Sequence, residues 1–247
     1  MNRNRLDIEM YSRGIVRSRS LASDLIKRGK VTVNGIVALK PSTEISAEDS
    51  ITIANDTIFV SRAGEKLAHA ITTWKIPVSG LVAIDIGSST GGFSDCLLKN
   101  GAAKVVAVDV GTNQFDETLR NDPRIELHEN TDIRTYSLST ESESKPKLFD
   151  MAVIDVSFIS LELVLPKTYE LVKKGGSVIA LVKPQFEVGK EIADKYKGII
   201  SDPEIQETVV EKIKKSAKKI GFTFINETTS PIEGEKGNKE FLVLLKK

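Results

Sequence analysis

Four charged residues stand where a chain can do acid–base chemistry. Asp155 ends an apolar run in Val153-Ile154-Asp155-Val156-Ser157-Phe158, and Lys183 ends the next in Leu181-Val182-Lys183-Pro184-Gln185-Phe186. An ammonium directly after an apolar strand is costly unless a carboxylate or a function keeps it there. Neighbouring strand ends would bring the two together. Lys66 opens a helical pattern in Ser61-Arg62-Ala63-Gly64-Glu65-Lys66-Leu67, whose Leu67, Ala70, Ile71 and Trp74 predict a buried stripe. Glu240 precedes the last apolar run in Gly237-Asn238-Lys239-Glu240-Phe241. Taken singly, each is more often a surface or salt-bridge residue. Together, amines and carboxylates suit removal of a proton from a weakly acidic hydroxyl.

A glycine-rich segment supplies the other chemistry: Asp85-Ile86-Gly87-Ser88-Ser89-Thr90-Gly91-Gly92-Phe93, directly after a strand-like run. In an open sheet the ligand lies beyond the carboxyl ends of the strands, and glycines there let it approach the backbone. The spacing G-x-x-x-G-G departs from the pattern favoured by a dinucleotide pyrophosphate, and no G-x-x-x-x-G-K-S/T loop is present. Asp109 ends the following strand-like run, where a carboxylate can bind both hydroxyls of a ribose. An adenosine cofactor without a phosphate chain is favoured, and S-adenosylmethionine fits. Asp85, Gly87, Ser88, Gly91, Gly92 and Phe93 would shape its pocket, with Asp85 near the methionine end, Asp109 on the ribose and Asp155 facing the methyl donor. The competing explanation, glycines for tight helix packing and Asp109 as a turn residue, stays open.

Strand-like runs at 81–86, 104–110, 125–128, 150–156, 177–182, 223–226 and 241–245 alternate with helical or loop segments, which predicts an α/β fold with a doubly wound, mostly parallel sheet. Pro203 to Ile220 reads as a long scaffold helix with Pro at its start and Gly221 past its end. The segment 137–147 reads as a surface loop, and 184–202 as a long connection able to close over a substrate.

Net charge is +1, but its distribution is uneven. Met1 to Lys40 holds nine Lys or Arg against three Asp or Glu, whereas the next twenty residues hold four acids and no base. A basic stretch, 1–40, inside an amino-terminal module of about sixty residues, 1–60, joined to a near-neutral domain, 61–247, suggests a polyanion-binding appendage; the plainer alternative is a solvated pair of helices. Helices at 5–12 and 19–28, with Ser18 as N-cap, precede a strand and an Asn34-Gly35 hairpin turn. Arg13, Arg17, Arg19, Lys27, Arg28 and Lys30 are the cations expected to grip phosphate.

Hydrophobic residues at 40% leave enough material for a sizeable core and argue against wholesale disorder. Apolar stretches as short as Phe241 to Leu245 argue against a membrane span. Met1 to Tyr11 has no apolar core of a secretory signal. One cysteine and two histidines make neither a disulfide nor a metal cluster, so no metal is expected and the cytoplasm is the default compartment.

Three resemblances sharpen these expectations. Arg5-Leu6-Asp7, Ser18-Arg19-Ser20 and Leu25 through Gly35 resemble the RNA-binding domain named after small-subunit ribosomal protein four. The four charged residues resemble the Lys-Asp-Lys-Glu constellation of FtsJ-type RNA 2'-O-methyltransferases. Across the whole chain, SRAGEKL at Ser61, DIGSSTGGFSDCLL at Asp85, AVDVG at Ala107, DPR at Asp122, DVSFISL at Asp155, LVKPQFE at Leu181 and SPIEGEKGNKEF at Ser230 resemble the TlyA family, sometimes labelled hemolysin A. Ala63 and Ser88 stand where that family would have Gly and Ala. The resemblance implies a seven-stranded Rossmann-like methyltransferase sheet behind a small amino-terminal α+β RNA-binding domain. It implies methyl transfer from S-adenosylmethionine to cytidine 2'-hydroxyls of ribosomal RNA or ribosomal subunits, with no obligate protein partner and no membrane. Lys183 is then the expected general base: a neighbouring second cation, Lys66, favours its neutral form, whereas Asp155 and Glu240 favour the ammonium. The alternatives are a binding protein that holds RNA without catalysis, and the pore that the hemolysin label implies.

Overall fold

The computed structural model describes residues 3–54, 58–138 and 148–247. The chain divides into two compact units between Ile58 and Phe59, two residues before the division expected from the charge pattern. Phe59 accounts for the difference. It packs with Leu67, Phe93 and Leu97 of the larger unit, and the next amide, of Val60, donates to Asp95 at 2.8 Å.

The smaller unit runs β1 (Asn4–Arg5), α1 (Leu6–Ser12), α2 (Arg19–Lys27), β2 (Val31–Val33), β3 (Ile36–Ala38), β4 (Glu44–Ile45) and β5 (Ile51–Ile53). Arg5 is extended and not helical, because it pairs with Glu44 in a two-stranded ribbon. Ser18 Oγ accepts the Leu21 amide at 3.1 Å, the N-cap expected for α2. Asn34 and Gly35 both take positive φ, 50° and 80°, as a tight turn between β2 and β3 requires. Leu6, Met10, Leu25, Ile26, Val31 and Ile45 form this unit's own core.

The larger unit runs α3 (Arg62–Trp74), β6 (Val82–Ile86), α4 (Gly92–Lys99), β7 (Lys104–Val108), α5 (Glu117–Arg120), β8 (Ile125–His128), β9 (Phe149–Ile154), α6 (Leu161–Leu171), β10 (Val172–Val182), α7 (Pro184–Glu187), α8 (Lys190–Lys195), α9 (Pro203–Ile220), β11 (Thr223–Thr229) and β12 (Phe241–Lys246). Seven strands form one sheet in the order β11-β12-β10-β9-β6-β7-β8, and β12 alone runs against the others. Two apolar clusters, one on each face, bury β6, β7, β9 and β10, which is why these strands read as unbroken apolar runs.

Three segments differ from their sequence pattern. β10 starts five residues early, because Val172 pairs with Phe149 before a register shift that absorbs the Lys-Lys-Gly-Gly stretch ahead of Ser177. β11 extends to Thr229 although its last residues are polar, because as an edge strand it needs only one partner's hydrogen bonds. The connection 184–202 holds two short helices and not a structureless loop, with Asn238 donating to the Gly198 carbonyl and accepting from the Ile200 amide at its far end. Of the expected surface loop at 137–147, residues 139–147 lie outside the described residues.

Candidate active site

The sheet reverses its order at β6, whose neighbours β7 and β9 receive the chain in opposite directions. A crevice opens outside the carboxyl ends at such a switch point. Here it is a cavity of about 760 Å³ lined by Gly87, Ser89, Asp109, Gln114, Asp132 and Asp155 among others, and a smaller one of about 140 Å³ lined by Gly87, Ser88, Gly92, Phe93, Asp155 and Lys183.

The glycines do part of their work by packing protein on protein. Gly87 has φ 80°, and a Cβ there would meet the Asp155 carbonyl oxygen at 2.7 Å. Gly91 lies under Phe115 and Leu119, and a Cβ on Gly92 would strike Ser61 at the start of α3. The loop therefore draws the starts of α3 and α4 and the end of β9 together. Packing thus accounts for these glycines, and Gly87 and Gly92 also line the cavities.

Asp85 is fully buried, and that burial pushes its carboxyl up to about 7 against the hydrogen bond from Ser94 Oγ, 2.7 Å from Oδ2. Among the described residues its Oδ1 and the buried Ser88 Oγ have no hydrogen-bond partner. Asp109 accepts the Ser89 amide on one oxygen and the Gly111 amide on the other, each at 2.7 Å, which holds it at the cavity wall.

The four expected catalytic residues come together as two ion pairs. Lys183 Nζ lies 2.6 Å from Asp155 Oδ1, without the alignment of a hydrogen bond, and donates to Ser157 Oγ at 2.9 Å. Lys66 Nζ donates to Glu240 Oε2 at 2.5 Å, and both side chains are buried. A Cβ at Gly234 would collide with the Glu240 carboxylate, so a glycine there leaves it room. Asp155 and Lys183 line the cavities; Lys66 and Glu240 line neither of these two.

Residues that the sequence did not single out also stand here. Asp132 follows β8 and accepts Arg134 Nε at 3.0 Å, and that guanidinium holds its carboxyl below the usual range. A polar residue just past a strand end was its only signal. Phe158 is 90% exposed at φ 64° and meets Phe186 with ring centroids 4.9 Å apart. An aromatic residue in the left-handed region is invisible to residue-type patterns.

In the smaller unit Arg13 is engaged internally: its guanidinium donates to Glu9, to the Ser46 carbonyl and to the Asp49 carbonyl, each at 2.8 Å. Arg19 and Lys27 are exposed, although Arg19 reaches Asp7 at 3.3 Å. Arg28 pairs with Asp24 at 3.3 Å, and Arg17 and Lys30 are partly buried.

The model of the FtsJ-like methyltransferase family matches residues 59–247, and that of the S4 domain matches residues 4–51. The chain belongs to the FtsJ-like methyltransferase family. Among curated relatives, the 16S/23S rRNA (cytidine-2'-O)-methyltransferase TlyA of Mycobacterium tuberculosis is 39% identical over 99% of this chain and 90% of its own. Hemolysin A of Brachyspira hyodysenteriae is 39% identical over 96% of this chain and 98% of its own. A solved structure from Streptococcus thermophilus that carries a hemolysin label superposes with a TM-score of 0.75 at 39% identity, covering 100% of this chain and 89% of that one. An S-adenosylmethionine dependent methyltransferase from Listeria monocytogenes shares the fold at 17% identity and a TM-score of 0.54. Among the described residues of this family member, no helix is long and apolar enough to cross a membrane, and no three His, Cys, Asp or Glu group to hold a metal.

Proposed function

We propose that the chain transfers a methyl group from S-adenosylmethionine to the ribose 2'-hydroxyl of cytidine in ribosomal RNA. The observation that carries this reading is the Lys183–Asp155 pair, set 2.6 Å apart on the wall of the cavities formed by the glycine loop. The names of the full-length relatives supply the RNA and the nucleoside.

The residues suit the donor. Two buried, unpartnered oxygens, Asp85 Oδ1 and Ser88 Oγ, are costly unless a ligand meets them. An ammonium suits the Asp85 carboxylate and a hydroxyl pair suits Asp109. A volume of about 760 Å³ is ordinary for a cofactor site. When bound, the donor supplies an electrophilic methyl on a sulfonium.

The remaining work falls to the chain. A ribose hydroxyl is a weak acid, so the proton must leave as the oxygen–carbon bond forms. Lys183, in its neutral form, takes that proton at Nζ; Asp155 and Ser157 hold the resulting ammonium in place. Lys66 and Glu240 tie α3 to the start of β12. Phe158, exposed at the same edge and backed by Phe186, offers a face on which an unstacked base can lie. Exposed cations of the smaller unit, Arg19 and Lys27 foremost, supply sequence-independent contacts to phosphate.

The test is mass mapping of methyl groups on ribosomal RNA or subunits after incubation with the purified chain and S-adenosylmethionine. A mass gain on the ribose of a cytidine, absent with Lys183→Ala, is the expected result. RNA bound without methylation would favour the binding-protein reading.

A further inference from the structure

The segment between β9 and α6 is joined to the segment after β10 by three successive links. Asp155 pairs with Lys183, Phe158 meets Phe186, and Glu187 takes two hydrogen bonds, from Ser160 Oγ at 2.5 Å and from the Leu161 amide at 2.8 Å. The third link is the unusual one. Glu187 is 4% exposed, and burial raises its carboxyl against those two donors.

The reason for the buried carboxylate lies in α6. The first amides of a helix have no partner within it. Ser160 Oγ accepts one, from Glu162 at 3.2 Å, and Glu187 accepts the one before it. The cap thus comes from α7, which starts at the residue after Lys183. Lys212 of α9 locks the arrangement, donating to the Glu187 carbonyl at 3.2 Å and pairing with Glu162 at 2.7 Å. At the other end of the segment, the Asp155 amide donates to the Ile86 carbonyl at 3.0 Å.

Phe158 sits between these two anchors. A bulky residue at φ 64° is strained, and it persists only when the flanking structure over-determines it. We propose that Glu187 is a positioning residue for the RNA substrate: by capping α6 from the strand end that carries Lys183, it holds Phe158 in its exposed, left-handed conformation beside that lysine. The inference rests on the function proposed above and names what keeps its base-facing edge in shape.

The experiment uses the full chain with ribosomal RNA as substrate. Glu187→Ala leaves the buried Leu161 amide and the partly buried Ser160 hydroxyl without an acceptor, and the loss of such a hydrogen bond predicts a rise of roughly ten-fold in KM for RNA with kcat and S-adenosylmethionine affinity nearly unchanged. Glu187→Gln keeps an acceptor for Leu161 and a donor for Ser160 Oγ, so it restores KM to near wild type. Adding Phe158→Ala to Glu187→Ala raises KM little further, because both changes remove the same platform. An unchanged KM in Glu187→Ala, a uniform fall that includes cofactor affinity, or no rescue by Gln overturns the proposal. Should the Ala variant not fold, Ser160→Ala removes the hydroxyl link to Glu187 together with the acceptor for the Glu162 amide, and an unchanged KM there overturns it equally. If the wild-type chain methylates no RNA, the proposed function fails, and hydrogen exchange decides the clasp by itself. The Leu161 amide must exchange faster in Glu187→Ala, or in Ser160→Ala, than in wild type, and Glu187→Gln must keep its protection; equal protection in all of them overturns it.

Discussion

A side chain on Gly87 would place its Cβ 2.7 Å from the carbonyl oxygen of Asp155. The glycine loop after β6 and the loop that carries Asp155 are therefore in backbone contact, and only a hydrogen on Gly87 permits it. Gly87→Ala should cost affinity for S-adenosylmethionine and methyl transfer together. Gly175→Ala is the matched control, since Gly175 has φ 78° and open space around it. Both variants carry a left-handed strain of about 1 to 2 kcal/mol, but only the first also forces the loops apart. Calorimetric titration should show cofactor binding lost in one and kept in the other; equal affinities would sink this relationship.

The buried Asp85 gives the site a pH signature. Its carboxyl is raised to about 7 from an ordinary 3.8, so between those values the folded chain holds a proton that the unfolded chain has released. From this group, stability is highest at low pH and falls as pH rises towards about 7, by up to about 1.4 kcal/mol per unit. An ammonium brought by the cofactor reverses the preference, so binding near pH 6.5 should release a proton. Titration in buffers of different ionisation enthalpy measures that release. Asp85→Asn should abolish it, weaken the cofactor, and stabilise the free chain at pH 8.

Lys183→Ala should abolish methyl transfer while leaving S-adenosylmethionine affinity within about two-fold, because the role proposed for the amine is on the RNA hydroxyl and not on the donor. Removal of a general base costs roughly a hundred-fold or more. A single-turnover rate near wild type would move the chemistry from proton removal to positioning alone.

Lys66 and Glu240 call for a different measurement. Removing one partner of a buried ion pair leaves an uncompensated charge, which costs about 3 to 5 kcal/mol, whereas neutral residues of similar volume at both sites are often tolerated. Thermal unfolding should show Lys66→Met and Glu240→Gln each strongly destabilised and the double variant largely recovered. If the double variant is stable but fails to methylate RNA, the pair touches the reaction; if it methylates normally, the pair only ties α3 to β12.

The architecture was legible because its signals are local. Apolar runs, Ser18 before α2 and Pro203 with Gly221 around α9 all act within a few residues. Asp109, Asp155 and Lys183 line the crevice because residues at the carboxyl ends of neighbouring strands face it, so their placement, though not their role, was legible. The arrangement of Lys66 with Glu240 was not, since 174 positions separate them and only the fold pairs them. Nor was Phe158, whose exposure follows from a backbone angle imposed from both sides. Arg13 shows the converse: its charge counts towards a basic module, yet its guanidinium closes a turn inside it.

That difference among the cations sets the last prediction. Phosphate contacts release counterions, so each residue that touches phosphate adds to the slope of log affinity against log salt. Arg19 and Lys27 are exposed on the smaller unit, whereas Arg13 donates to Glu9, Ser46 and Asp49. Replacing Arg19 and Lys27 together by Ala should flatten the slope for ribosomal RNA by on the order of one to two units, and cofactor binding should not change. Arg13→Ala should leave the slope nearly as it was and lower the unfolding temperature, because two partly buried carbonyls lose their donors. RNA affinity measured across a salt series, beside a thermal melt of each variant, separates the two roles. A slope that falls with Arg13→Ala and holds with the double variant would place the RNA over the turn that Arg13 closes.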